Sequence, residues 1–210
     1  KDRFERRIDM FPAGFDKDDI MYSITSYGDF PIVLPTAQRD QTNGASSGWM
    51  LLSYKKPVTV SSSEECKDVE THRMDNGGKK VYEKICYDAS NLTDENIQTY
   101  WSATTDKAGE WLQLDLGRQM EINALQINYA DHKATQYNKA MDIYYQYKIF
   151  MSDNAKNWTL IIDKSLNDKD VPHDYVELSK SITARYIKMV NIHNASGLFA
   201  VSDFRVFGNG

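Results

Sequence analysis

The chain has 210 residues, of which 41% are hydrophobic, 26% charged and 12% aromatic, and its formal net charge is −5 at pH 7. This length allows one large or two small domains with a sizeable core, and the composition argues against disorder. The acidic balance and the lack of a basic run exclude nucleic acid as an expected partner, because phosphate neutralisation needs a positive face. No apolar run approaches the roughly 20 residues of a membrane span, so we expect no membrane insertion.

Residues 1–55 differ in character from the rest of the chain. Apolar segments at Ile20–Tyr27 and Trp49–Tyr54 flank the polar stretch Pro35–Gly48. That stretch is long for a connection inside a compact domain. We therefore place a boundary between residues 36 and 56, which separates an N-terminal segment, 1–55, from a module, 56–210. The chain begins at Lys1 without Met, so we expect processing or truncation upstream.

From Pro57 onward the sequence predicts a succession of short strands separated by turn residues. The clearest is Glu110–Leu116, where Leu112, Leu114 and Leu116 alternate with polar or half-polar neighbours and define one buried face. No long segment has helical periodicity, so the pattern is typical of an all-β sandwich or barrel. The other predicted strands are Val58–Val60, Glu64–His72, Val81–Tyr87, Glu121–Tyr129, Gln146–Met151, Trp158–Asp163, Tyr175–Leu178, Ala184–Ile192 and Ala200–Phe207.

The two cysteines, Cys66 and Cys86, flank a polar segment with an Asn76-Gly77-Gly78 turn. The turn could join the two flanking strands as a hairpin. The cysteines could be two free thiols or one disulfide. A disulfide closing a loop of this length would contribute about 3 kcal/mol to stability by the loop-entropy estimate. It would also indicate an oxidising compartment.

The order of the motifs after residue 56 resembles the discoidin, or coagulation factor 5/8 type C, family, which includes carbohydrate-binding module family 32. The resemblance implies an antiparallel jelly-roll β-sandwich of eight strands, with the galactose-binding-domain-like fold. The stretches that carry it are Asp94–Asn96, Thr99–Ser102, Glu110–Gly117, Ile122–Ile127, Tyr147–Ser152 with Trp158-Thr159, Ala184–Lys188 and Ala200–Gly208.

The N-terminal segment is similar to the end of a glycoside hydrolase family 43-type catalytic propeller. The similarity lies in Arg3–Arg7, Met10–Asp16 and Tyr27–Pro31. Enzymes of that type often carry a discoidin-like module directly after the propeller. A covalently linked catalytic domain in the parent protein is therefore implied, and residues 1–55 would be a remnant or an interface segment.

The resemblance also implies a structural calcium ion at the acidic turn. Calcium takes six to eight oxygen ligands from carboxylates, carbonyls and amides. Asp203 stands where the family usually has Glu. The alternative interpretation is a turn whose side chains only hydrogen-bond the backbone. The positions that match the family's calcium ligands are Asn91, Asp94, Asn96, Thr99 and Asp203.

Two loops carry the mixture of aromatic and polar side chains that sugar recognition requires. They are Tyr129–Met141 and His193–Phe199, and related modules bind glycans through loops at one end of the sandwich. The alternative is that the aromatics pack at the rim and that the loops are solvated. The predicted carbohydrate-binding residues are Tyr129, His132, Tyr137, Asn138, His193, Asn194 and Phe199.

The sequence contains no pattern for catalysis. No histidine pair has zinc-ligand spacing, and neither a nucleophile elbow nor a phosphate loop is present. The chain alone is therefore predicted to be non-catalytic. The leading hypothesis is a secreted or periplasmic carbohydrate-binding module of a polysaccharide-degrading glycoside hydrolase. The alternatives are a structural accessory domain that does not bind sugar and a protein- or lipid-binding discoidin module.

Overall fold

In the computed structural model, residues 13–15, 21–23, 33–34, 49–74, 77–134 and 143–209 are described. Nearly all regular structure in these ranges is antiparallel β-strand, which confirms the predicted all-β class. The strands are β1 (Ala13–Phe15), β2 (Met21–Ser23), β3 (Val33–Leu34), β4 (Trp49–Leu51), β5 (Val58–Val60), β6 (Lys67–Met74), β7 (Lys80–Ile85), β8 (Trp101–Ser102), β9 (Trp111–Tyr129), β10 (Gln146–Ser152), β11 (Thr159–Asp163), β12 (His173–His193) and β13 (Ala200–Asn209).

Two long strands, β9 and β12, pass through both layers of the sandwich. The first half of β9 pairs with β5 and with the second half of β12, which continues into β10 and β11. The second half of β9 pairs with the first half of β12 and with β13. The ladder between β9 and β12 is interrupted near Gly117, which has a φ of +85°. A glycine adopts this left-handed conformation without a Cβ penalty, so the strand can change direction there.

The core lies between these layers. The alternation predicted for Glu110–Leu116 is confirmed, because Leu112, Leu114 and Leu116 are fully buried. They meet Phe204 and Val206 of β13 within one hydrophobic cluster. Trp101 is also fully buried in this cluster, and its Nε1 donates a hydrogen bond to the carbonyl of Ser62 at 3.0 Å.

The strand predicted at Trp49–Tyr54 is observed as β4, and it joins the sandwich directly. It pairs with β13, and Leu51 packs with Ala124 and Phe207 in a second, smaller hydrophobic cluster. Residues 49–54 therefore pack with the module, although the sequence assigned them to the N-terminal segment. The division at residue 55 itself stays a prediction. The motifs Arg3–Arg7 and Tyr27–Pro31 lie outside the described residues.

A separate hairpin of β6 and β7 projects from the sandwich. The two strands pair in antiparallel register, as the sequence predicted. A disulfide between Cys66 and Cys86 joins the two ends of the hairpin, with 4.1 Å between the Cα atoms. The choice between two free thiols and one disulfide is thus resolved in favour of the disulfide.

A short 3₁₀ helix at Ala89–Thr93 leads into the acidic turn. Leu92 is fully buried, and the Thr93 hydroxyl donates to the carbonyl of Lys56 at 3.0 Å, so the helix fixes the start of the turn. Nowhere in the described part of the chain does a helix combine the length and apolarity that crossing a bilayer requires.

Candidate functional site

The two loops predicted to bind sugar meet at one end of the sandwich. The backbone N–H of Leu198 donates to the carbonyl of His132 at 2.9 Å, and Ala130 donates to Ala200 at 3.0 Å. Gly197 has a φ of +67°, and a Cβ built there would lie 2.2 Å from the His132 carbonyl oxygen. The close contact between the loops therefore depends on a glycine at this position. Tyr137 and Asn138 fall outside the described residues.

Two of the predicted sugar-binding aromatics belong to the core instead. Tyr129 is 7% exposed and stacks on Tyr145 with 3.8 Å between ring centroids. Phe199 is 0% exposed and meets the edge of Trp101 at 5.3 Å. A sugar-stacking ring must present a face to solvent. In this structure neither Tyr129 nor Phe199 presents such a face, because both rings pack into the core.

His132 is also enclosed, at 7% exposure. Its ring stacks on Tyr87 at 4.4 Å and meets the edge of Tyr100 at 5.4 Å, and its Nδ1 lies 2.7 Å from Ser102 Oγ. Burial lowers the pKa of this imidazole, with a further contribution from the charge of Lys133. This enclosed ring anchors the loop, and the face that stacks on Tyr87 is not open to a glycan.

Among the predicted sugar-binding residues with a ring in the described part of the loops, only His193 is partly exposed. Its ring stacks on Tyr144 with 4.1 Å between centroids and an interplanar angle of 21°. Its Nδ1 lies 2.9 Å from the Tyr144 carbonyl oxygen. A carbonyl only accepts, so Nδ1 carries the hydrogen and Nε2 of the neutral ring is left as an acceptor.

Tyr144 was not among the predicted residues. It is half-exposed, whereas Tyr145 and Tyr147 on either side of Gln146 are buried. The alternation along residues 144–147 could have identified Tyr144 as the ring on the outer side. Asp131 and Asp170 also lie near this end, because their charges, added to the larger effect of burial, raise the pKa of Tyr145 to about 12.

Asn194 organises its own loop. Its side-chain amide donates to the carbonyls of Ser196 at 2.8 Å and Leu198 at 3.1 Å. Both hydrogens of the amide are thereby committed to loop closure. In this loop conformation only the side-chain oxygen of Asn194 is left for a contact with sugar, and the carbohydrate-binding role of Asn194 stays a prediction.

Oxygen atoms of the acidic turn converge on one hydroxyl group. Thr99 Oγ1 lies 2.7 Å from Asp94 Oδ2 and 2.9 Å from the carbonyl oxygen of Asn96. Carboxylate, hydroxyl and carbonyl oxygens are the ligands that calcium takes. The side-chain NH₂ group of Asn91 donates to the carbonyls of Cys86 and Tyr100 at 3.0 Å. Only the oxygen atoms of Asn91 are therefore left as candidate calcium ligands.

Asp203 brings a second carboxylate to the same neighbourhood. Its Oδ2 accepts from Asn128 Nδ2 at 3.1 Å, whereas its Oδ1 is buried without a hydrogen-bond partner among the described residues. A buried oxygen without a donor is uncommon in folded proteins, and a cation is one explanation for it. Asp94, Asn96, Thr99 and Asp203 thus offer oxygen atoms of the kind that calcium takes.

An ion pair lies beside this carboxylate. Arg205 contacts Glu95 at 2.7 Å and Asp203 at 3.8 Å, and its Nη1 donates to Gln126 at 3.2 Å. Burial raises the pKa of Glu95, the Arg205 guanidinium opposes that rise, and the charges of Asp203 and Asp94 add to it. Glu95 also has a φ of +58°, which is uncommon for a residue other than glycine. Arg205 therefore holds the acidic turn against the last strand.

Comparison with known proteins gives a family match and several similar folds. The family model of the F5/8 type C domain matches residues 58–202. No curated protein matches significantly. Chitosan-binding module 2 of a chitosanase/glucanase from Paenibacillus sp. IK-5, solved in complex with chitotriose, is 20% identical with a TM-score of 0.53, covering 75% of this chain and 99% of that chain.

Two further structures are similar. CpGH89CBM32-5 from Clostridium perfringens, solved in complex with GalNAc-β-1,3-galactose, is 17% identical with a TM-score of 0.54, covering 75% of this chain and 99% of that chain. A structure described as a glycoside hydrolase is 16% identical with a TM-score of 0.56, covering 92% of this chain and 38% of that chain. At these identities the similarity concerns the fold, and it confirms the predicted β-sandwich.

Proposed function

The chain belongs to the F5/8 type C domain family, and from that premise we propose that it is a non-catalytic carbohydrate-binding module of a polysaccharide-degrading glycoside hydrolase. The observation that carries this proposal is the half-exposed stack of Tyr144 and His193 at the loop end of the sandwich. Such a module keeps its linked enzyme near the substrate and raises the effective concentration without doing chemistry. The similar modules solved with chitotriose and with GalNAc-β-1,3-galactose support this function.

The chemistry of the stack suits a pyranose ring. The apolar face of a sugar can lie on an aromatic ring, and its hydroxyl groups need polar partners near the ring edge. His193 Nε2 is left as an acceptor because Nδ1 donates to the Tyr144 carbonyl. Asp131, which is exposed, offers carboxylate oxygens at the same end. A site of this kind buries little area, so we expect weak affinity for a single module.

We predict that Tyr144→Ala weakens glycan binding by about twofold to tenfold, because loss of an aromatic contact of this kind corresponds to roughly 0.5–1.5 kcal/mol. His193→Ala should weaken binding to a similar extent. Glycan arrays identify the ligand, and isothermal titration with that ligand measures the change. Tyr82→Ala is the matched control, because Tyr82 is a 58% exposed tyrosine on the β6–β7 hairpin and is not part of the Tyr144–His193 stack. Unchanged affinity in both loop variants would remove this site from the proposal.

The second candidate is a structural accessory domain that supports a catalytic domain and binds no sugar. It is favoured by the match to a glycoside hydrolase over 92% of this chain, a share larger than residues 56–210 alone could supply. The resemblance of residues 1–55 to the end of a catalytic propeller points the same way. If no glycan on a broad array is retained by the module, this candidate replaces the first.

We also propose a structural calcium ion at Asp94, Asn96, Thr99 and Asp203, with the carbonyl of Asn91 as a further ligand. The buried Asp203 Oδ1 without a partner supports it, as does the convergence of oxygens on Thr99. The ion would fix the turn and would do no chemistry. Extracellular or periplasmic location is part of the same proposal, since the Cys66–Cys86 disulfide suits an oxidising compartment.

Calcium should stabilise the chelated protein. At a free calcium concentration of 100 times the Kd, we expect a gain of about 2.7 kcal/mol in the free energy of unfolding. Thermal melts of chelated protein with and without calcium measure it, and Asp94→Ala should remove the gain. Asp168→Asn removes an exposed carboxylate elsewhere and should keep it. A melting temperature that does not respond to calcium would contradict the proposal.

A further inference from the structure

The outer face of one layer carries two half-exposed tryptophans that the loop site does not use. This layer consists of β11, β10, the second half of β12, the first half of β9 and β5. Trp111 precedes the buried Leu112 on β9, and Lys188 lies between the buried Ile187 and Met189 on β12. Because side chains alternate across a strand, Trp111 and Lys188 both point away from the core. Trp158, directly before β11, is half-exposed beside them.

Lys188 joins the two indole rings into one strip. Its Nζ lies 4.2 Å from the ring centroid of Trp111 and 5.6 Å from that of Trp158. These two distances limit the separation between the ring centroids to about 10 Å. The strip, defined by Trp111, Lys188 and Trp158, is therefore an amphipathic surface whose two apolar faces flank a cation.

Lys188 differs from the neighbouring cationic residues in its lack of an acidic partner among the described residues. Lys148 pairs with Asp163 at 3.2 Å, and Arg185 pairs with Asp115 at 2.8 Å through two parallel hydrogen bonds. For Lys188, no carboxylate of residues 49–74, 77–134 and 143–209 lies within ion-pair distance. The strip thus presents an ammonium group without an acidic partner on a chain whose net charge is −5.

Polar groups extend the strip across the layer. In the register of the strands, Lys188 lies opposite Gln113 of β9, which in turn lies opposite Thr59 of β5. On the other side, a shallow pocket of about 250 Å³ is lined by Ser152, Asp153, Asn154, Asn157, Thr159, Met151 and Thr183. Asn157 and Thr159 are the chain neighbours of Trp158, so the pocket adjoins the strip.

We propose that the strip of Trp111, Lys188 and Trp158 is a second carbohydrate-binding surface, which takes a polysaccharide carrying carboxylate or sulfate groups. The proposal rests on the proposed function in one respect, that the module binds glycans. Two indole rings with centroids about 10 Å apart or closer can each cover one ring of an extended sugar chain when the Lys188 ammonium turns from the rings to the anionic substituent. Lys188 pairs with an anionic substituent between them, and Gln113 and Thr59 hydrogen-bond the hydroxyl groups.

This surface differs from the loop site in the ligand that it selects. The Tyr144–His193 stack lies near Asp131, whose carboxylate disfavours an anionic sugar. The strip offers a cation without an acidic partner and therefore favours an anionic sugar. Binding of an anionic chain to the strip should weaken as salt rises, because an exposed ion pair is screened.

The test uses two matched pairs of probes: polygalacturonate with its methyl ester, and dextran sulfate with dextran. Affinity electrophoresis and titration monitored by tryptophan fluorescence measure binding. We expect Lys188→Gln to weaken binding of at least one anionic probe about fivefold or more, and Trp158→Ala and Trp111→Ala to weaken it further. The first pair tests carboxylate groups and the second tests sulfate groups.

Two controls separate the strip from charge in general and from the loop site. Lys180→Gln makes the same charge change at an exposed position of the same strand and should leave binding unchanged. His193→Ala should leave binding of the anionic probe unchanged while it weakens binding of a loop-site glycan. Circular dichroism verifies that each variant is folded.

The possible outcomes are distinguishable. If His193→Ala weakens neutral glycan binding and Lys188→Gln changes nothing, the proposed function stands and the strip proposal is overturned. If no glycan of any kind binds, the proposed function fails and the strip fails with it. If the tryptophan variants change only the sedimentation coefficient, the strip is a contact between copies of this chain, which also overturns the proposal.

Discussion

Phe199→Ala is expected to lower the free energy of unfolding by about 3–5 kcal/mol, the usual cost of truncating a buried aromatic ring. Phe199 is fully buried, where it contacts Trp101 edge-on at 5.3 Å and approaches Tyr129 at 6.4 Å. Its backbone also joins two loops, since its N–H donates to Thr105 and its carbonyl accepts from Ala103. The variant therefore leaves a cavity at the point where the loop end of the sandwich is attached to the core.

Urea unfolding followed by tryptophan fluorescence measures this loss. Phe199→Leu keeps most of the volume and should cost much less than the alanine variant. Glycan affinity of the folded fraction should be retained in Phe199→Leu, in contrast to Tyr144→Ala. A Phe199→Leu protein that is as stable as the wild type but does not bind glycan would place Phe199 at the sugar after all.

The burial of Phe199 could not be predicted from the sequence, because the alternation of apolar residues does not identify a buried face around β13. Alternation identified the inner face of Leu112, Leu114 and Leu116 because the other face of that part of β9 is open to solvent. It cannot do so for β13, which lies between β9 and β4 and is buried on both faces along most of its length. A bulge between Val201 and Asp203 further shifts the register. For an aromatic residue just before such a strand, the sequence pattern therefore does not show whether the side chain points into the core or toward solvent.

The sequence predicted where strands occur, but it did not predict which of them join into one continuous strand. The sequence separates Glu110–Leu116 from Glu121–Tyr129, and Tyr175–Leu178 from Ala184–Ile192. The structure joins each pair into one strand, β9 and β12, with irregular pairing in between. The positive φ of Gly117 permits the interruption in β9. Glycine is read from sequence as a turn signal, so a bend within one strand and a turn between two strands look alike.

Contacts between distant residues set the rest of the site. Arg205 and Glu95 are 110 residues apart in sequence, and no local pattern connects them. The same holds for Tyr144 and His193, which are brought together because β10 pairs with the end of β12. The family resemblance supplied the positions of Asp94 and Asp203, but it did not supply Arg205 as the residue between the turn and the last strand.

Arg205→Ala is expected to lower the free energy of unfolding by about 3–5 kcal/mol at pH 7 to 8, because it leaves a buried carboxylate without its partner. The Arg205 side chain is 22% exposed and that of Glu95 14%, and Nε and Nη2 of the guanidinium contact the two carboxylate oxygens at 3.0 and 2.7 Å. Arg185→Ala is the matched control. It removes a similar bidentate pair with Asp115 from a more exposed position and should have a much smaller effect.

The pH dependence of the Arg205→Ala deficit separates the loss of charge pairing from the loss of packing. Burial raises the pKa of Glu95 above its ordinary value of 4.5 in the folded protein. The folded state therefore binds this proton more tightly than the unfolded chain, so the stability that it contributes is present below pH 4.5 and is lost as pH rises through the raised pKa. Removing Arg205, which opposes the rise, moves the folded pKa still higher. The deficit should therefore be smallest near pH 4 and should grow toward pH 8, as measured by urea unfolding across that range. Glu95→Gln in the Arg205→Ala background should restore stability at high pH and make the remaining deficit independent of pH. If the deficit of the Arg205→Ala variant by itself were constant with pH, the effect would be assigned to packing alone.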